Sequence, residues 1–143
     1  MRVPLLAALT TIALALAPAH GADDAAEKEL KRFQGEWKVV ELTKDGETRK
    51  GDKLKDQVWS FKGDKLVPLD NKDDTATIKI DPSKKPAALD IIDKSSDRVE
   101  SIYKFTGDDK LTICGHTDGK RPTEFASKKG SGAMLFVLER VKK

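Results

Sequence analysis

Beyond Gly35 the chain breaks into short runs in which apolar and polar residues alternate, and each run ends in a turn signal. A period of two sends successive side chains to opposite faces of a strand, and frequent turns join neighbouring strands as antiparallel hairpins. In the first run Trp37, Val39 and Glu41 share one face, and Val40 and Leu42 share the other. Asp45-Gly46 then marks a turn. Residues 51–56 are polar and suit a loop or a single helical turn. Further strands are predicted over Val58–Lys62, Lys65–Leu69, Thr75–Ile80, Ala88–Ile92, Val99–Thr106, Leu111–Cys114 and Ala133–Val141. Pro68 marks an edge or a strand end, because proline cannot donate to a ladder. Phe61-Lys-Gly-Asp-Lys-Leu66 and Phe105-Thr-Gly-Asp-Asp-Lys-Leu111 repeat one hairpin logic, which fits an up-and-down meander.

About eight antiparallel strands can close into a barrel and so remove their exposed edges. A barrel of that size is filled by side chains or holds one small ligand. Trp59 and Phe61 fall in phase on one strand, and Tyr103 and Phe105 on another. In-phase rings suit core first and a ligand lining second.

The N-terminal part reads differently. Arg2 is followed by the uncharged apolar run VPLLAALTTIALALA and then by Pro18, Ala19 and Gly21. A positive start, an apolar middle and a small-residue exit describe a secretory signal peptide over residues 1–21, cut after Ala19 or Gly21. The apolar run is short for a membrane span. The expected domain is then 22–143, exported to a periplasm or the extracellular space. Asp23–Phe33 is rich in helix formers, with acids first and bases last, and predicts one short helix.

Charge excludes some functions. Of the 27 basic residues only Arg2 lies in the leader, and the rest are interspersed with 24 acidic ones. Nucleic-acid binding would need a concentrated basic face. Cys114 is the one cysteine, so no intramolecular disulfide is available.

Phe33-Gln34-Gly35-Glu36-Trp37, a short helix running into Gly-x-Trp, resembles the opening of lipocalins and related barrels. The resemblance implies that Trp37 plugs one barrel end and that Arg140, near the last strand, packs over it. A guanidinium on an indole face is favourable in its own right. Phe33-Gln-Gly-Glu-Trp-Lys-Val-Val40, Asp81-Pro-Ser-Lys-Lys-Pro86 with Asp90, Tyr103, Leu111-Thr-Ile-Cys114, and Arg121-Pro-Thr-Glu-Phe125 with Gly130-Ser-Gly132 are together similar to the lipocalin-like domain of uncharacterised exported proteins typical of planctomycete bacteria. That resemblance implies fold and export, and no activity or ligand.

Chemistry-bearing residues are few. Cys114 and His116 share a strand side and could form a nucleophile pair or two metal ligands. No other histidine lies within 22–143. Leu111 and Ile113 look like core, which points Cys114 and His116 outward. Asp70, Asn71, Asp73 and Asp74 form an acidic loop without the glycine and final glutamate of an EF-hand. Arg121 and Glu124 could pin their loop, or Arg121 could meet an anionic ligand. No Gly-x-Ser-x-Gly elbow or phosphate-cradling loop is present.

The expectation is a non-enzymatic exported barrel, without cofactor or metal, that binds a small apolar or amphipathic ligand. Its expected lining is Trp59, Phe61, Tyr103, Phe105 and Arg121, and Gly35, Trp37 and Arg140 are its structural signature. A filled barrel with a structural or protein-interaction role is the alternative. An envelope hydrolase using Cys114-His116 or Arg121-Glu124 ranks last.

Overall fold

A computed structural model describes residues 20–54, 57–116 and 120–142. Helix α1 (His20–Phe33) leads into β1 (Gly35–Lys44), β2 (Glu47–Lys50), β3 (Val58–Lys62), β4 (Lys65–Pro68), β5 (Ala76–Asp81), β6 (Ala87–Ile92), β7 (Arg98–Thr106), β8 (Lys110–His116) and β9 (Ala133–Arg140). Every sheet neighbour is antiparallel, and β9 returns to pair with β1. The result is the all-β architecture that the alternation predicts: a closed antiparallel meander barrel with one short helix at its N-terminal side. Residues 1–19 of the segment read as a signal peptide lie outside the described residues.

The strand count differs by one. β2 and β3 pair in line along the same edge of β1, β2 against Glu41–Lys44 and β3 against Gly35–Lys38. Nine strands therefore fill eight barrel positions. Asp45 and Gly46 both have positive φ, the geometry of a tight two-residue hairpin whose twist matches its strands. The strand leaving that turn, Glu-Thr-Arg-Lys, has no apolar residue, so its alternation carries no sequence signal. The polar connection that follows holds a single 3-10 turn, Gly51–Lys53.

The ladders decide which side chains point inward. Directly opposed residues share a face. Phe105 opposes Leu111 and Leu111 opposes Leu138, while Tyr103 opposes Ile113 and Ile113 opposes Phe136. These residues line the inner wall with Val39, Phe61, Leu66, Ile78 and Leu89. From α1, Phe33 inserts among their rings, with centroids 5.3 Å from Phe61, 5.0 Å from Tyr103 and 4.9 Å from Phe105. Tilted and edge-on contacts at these distances are favoured for aromatic pairs. The helix thus closes one end of the barrel with a packed ring cluster.

Two inner-wall positions are small. Gly115 lies opposite Ser101. A Cβ at 115 would sit 2.7 Å from Ser101 Oγ and 3.2 Å from Val99 Cγ1, so β8 approaches β7 in a way a larger residue would obstruct.

A second, smaller cluster lies outside the barrel. Ile102, Cys114 and Ala133 are buried there with Phe125 and Leu135. They are covered by residues 120–132, which run over the outer face as a strap. Ser127 Oγ donates to Ala133 O at 2.6 Å, and Lys104 Nζ stands 4.6 Å over the Phe125 ring.

Candidate ligand-binding site

The two barrel ends differ in what they can hold. At the helix end, Arg140 stacks 4.2 Å over the Trp37 ring. Its guanidinium also donates to Gln34 O at 2.6 Å and Arg32 O at 2.8 Å, while Trp37 Nε1 donates to Phe33 O at 2.7 Å. Gly35 has a φ of 111°, and a Cβ there would stand 3.2 Å from Arg140 Nη1. Gly35, Trp37 and Arg140 are therefore one unit, in which the glycine makes room for the arginine that covers the tryptophan. Arg32 adds a second cation 4.2 Å over Phe105. This end is sealed.

The opposite end carries the largest described cleft, about 790 Å³, lined by Leu42, Lys44, Asp45, Glu47, Arg49, Lys129 and Gly130. Its volume lies within the usual range of small-molecule sites. The register explains the lining. Leu42 opposes Arg49 and Lys44 opposes Glu47, so these four residues share one face of the β1–β2 hairpin. Leu42 also opposes Phe136 of β9, which packs on the main core, so the shared face is the inner one. A register shift between Val39 and Glu41 keeps Leu42 and Lys44 in phase with the inner wall. Lys129 and Gly130 come from the turn before β9, and Gly46 at the hairpin tip packs against Lys129. The cleft has an apolar floor at Leu42 and a charged rim.

The residues expected to line a ligand divide between two places. Phe61 and Tyr103 are buried, and with Phe105 they pack in the ring cluster around Phe33. Trp59 is half-buried against Phe136, at 5.1 Å between centroids. None of these rings lines the described cleft, and their first role is to fill the barrel. Tyr103 Oη has no hydrogen-bond partner among the described residues, and burial pushes its phenol pKa far up.

Arg121 does not join the rings at all. It lies on the outer face, where Nη2 meets Asp90 Oδ1 at 2.6 Å and Nη1 donates to Ser101 O at 2.6 Å. Arg121 ties the strap to β6 and β7, and its guanidinium is already engaged by a carboxylate. Glu124 pairs with Lys128 at 3.3 Å instead. A strap residue three positions away along the chain need not face its neighbour.

Cys114 opposes Leu135 on the outer face and is fully buried, its thiol donating to Ala126 O at 3.5 Å. Burial pushes the thiol pKa up, opposite to the shift that activates a nucleophile. Among the described residues no group of three or more His, Cys, Asp or Glu side chains could hold a metal ion. In the acidic loop, Asn71 donates to Asp74 at 2.9 Å around the 3-10 turn Lys72–Asp74.

Lys44, Asp45, Glu47, Arg49 and Lys129 were not among the expected site residues. They sit in polar stretches with no motif, and only the cross-strand register places them around Leu42.

No family model matches this chain, and no curated protein does. Among solved structures, lobster apocrustacyanin A1 is similar over 87% of this chain and 69% of its own, at 14% identity and a TM-score of 0.43. A superposition that loose supports no inference about ligand or family, and the barrel is established by its own ladders.

Proposed function

We propose that this is an exported small-molecule-binding domain, a barrel sealed at the helix end that takes a small amphipathic ligand at the other. The observation that carries the reading is the open-end cleft, with Leu42 as its floor and charged groups around it. A concave site of this size whose charged groups converge around an apolar residue can orient a small amphipathic ligand. Export rests on the N-terminal sequence pattern of residues 1–21. Among the described residues no helix is long and apolar enough to cross a membrane.

One observation favours a second reading, a barrel that is structural or binds a protein. The rings of Phe33, Phe61, Tyr103 and Phe105 fill the helix-end interior, so a ligand would have to be held near the opening.

Native mass spectrometry of the exported protein, purified without denaturant, separates the two. A reproducible added mass of small-molecule size, lost on organic extraction, is the expected result. A bare protein mass across preparations would overturn the binding reading in favour of the filled barrel. The same spectrum reads the N-terminus: a chain beginning at His20 or Ala22 is expected, and an intact Met1 would refute cleavage.

A further inference from the structure

We infer that the open-end cleft selects an anionic amphiphile, with the anionic head group on the Arg49 guanidinium and the apolar part against Leu42. The inference rests on the binding reading above and adds the chemical class of the ligand.

The argument starts from the charges in the cleft, taken rung by rung. At the rim Lys44 stands opposite Glu47, with Asp45 at the turn and Lys129 on the adjoining segment. Those four charges balance. One rung further in, Arg49 stands opposite Leu42, with no acid on that rung. The lining carries three cations, Lys44, Arg49 and Lys129, against two acids, Asp45 and Glu47, so the cleft is net positive by one, and Arg49 is its guanidinium and the cation on the rung of the apolar floor. On the other face of the hairpin the nearby acid, Glu41, is already paired with Lys50 at 3.8 Å.

The other described arginines show how this protein normally uses the group. Arg32 meets Glu29, Arg98 meets Asp90, Arg121 meets Asp90 and Ser101 O, and Arg140 meets three backbone carbonyls and Asp109. The Arg49 side chain alone among the described arginines has neither a hydrogen bond nor an ion pair to a described residue. A guanidinium is planar, weakly hydrated and able to hold a carboxylate, sulfonate or phosphate through two parallel N–H donors. Placed beside a leucine, it forms a surface with one anion-binding edge and one apolar edge.

Two fluorescent probes that differ by one sulfonate test this directly: 1-anilinonaphthalene-8-sulfonate and the neutral N-phenyl-1-naphthylamine, each titrated into the intact protein. The sulfonate is expected to bind roughly tenfold tighter, the scale of one charge-assisted contact. Arg49→Gln is expected to remove that advantage and leave the neutral probe unchanged. Raising the salt concentration should weaken the sulfonate alone, a readout on the unaltered protein that needs no variant. Equal affinity for both probes, insensitive to salt and to Arg49→Gln, would overturn the anion inference and leave the binding reading standing. Sulfonate binding that survives Arg49→Gln but is lost in Lys44→Gln or Lys129→Gln would overturn the assignment to Arg49. Failure of both probes to bind would remove the binding reading itself.

Discussion

Arg140 lies 4.2 Å over the Trp37 ring and donates to the carbonyls of Gln34 and Arg32. One side chain of the last strand thus holds the first strand and the end of the helix. Closure of a barrel needs its first and last strands to stay paired, and this contact locks that seam where α1 enters it.

Arg140→Ala is expected to lower unfolding stability by about 3 kcal/mol, combining a partly desolvated cation–π contact with charge-assisted hydrogen bonds to backbone. Arg140→Lys should recover less than half, because an ammonium cannot span both carbonyls while lying flat on the indole. Urea unfolding monitored by circular dichroism reads both values. Equal stability of Arg140→Ala and the unaltered protein would show that the seam holds without it.

Tyr103 carries a testable pH dependence. Burial raises its phenol above the ordinary 10.0, and the native barrel keeps the proton where an unfolded chain would release it. Its contribution to stability is complete below pH 10 and is lost as the pH rises above that value. Tyr103→Phe should flatten this alkaline loss. It should also raise stability at neutral pH by about 1 kcal/mol, because the hydroxyl has no partner among the described residues to lose. Tyr103 is the one tyrosine in the chain, so tyrosinate absorbance reports it without assignment. A native tyrosine that titrates at its ordinary value would contradict its burial.

The strap makes Cys114 a reporter of its own opening. The thiol lies beneath residues held by Arg121, which grips Asp90 and Ser101 O at 2.6 Å each. In the native protein a thiol reagent should label Cys114 slowly, through local opening. Arg121→Ala should raise the labelling rate by roughly ten- to a hundredfold, the effect of one charge-assisted anchor, while circular dichroism stays unchanged. Fast labelling of the unaltered protein would mean that the strap does not cover the thiol.

Much of the fold was legible because one physical rule wrote it. A barrel strand buries one face, so alternation survives in the sequence wherever that face is apolar, as in Val99–Thr106 and Leu111–Cys114. The hairpin turns were legible through Asp45-Gly46, Gly63-Asp64 and Gly107-Asp108, whose residues tolerate the required backbone angles. β2 was not legible. Its four residues are exposed and polar, and it exists as a strand only because the turn delivers it to the free part of β1's edge. The candidate site failed to appear for the same reason. Arg49 belongs to an unpatterned polar run, whereas Arg121 stands in a conspicuous Arg-Pro-Thr-Glu-Phe segment, and only the structure shows that the second is occupied and the first is not.

The sequence by itself determined the antiparallel all-β class, the short entering helix, and the outward face of Cys114, because each depends on local periodicity or local propensity. The tertiary structure alone decided which strand shares β1's edge, which rings fill the interior, and which cations are left beside an apolar floor. Those are properties of register and closure. They depend on which residues meet across strands far apart in the chain, and a one-residue slip would send every one of them to the opposite face.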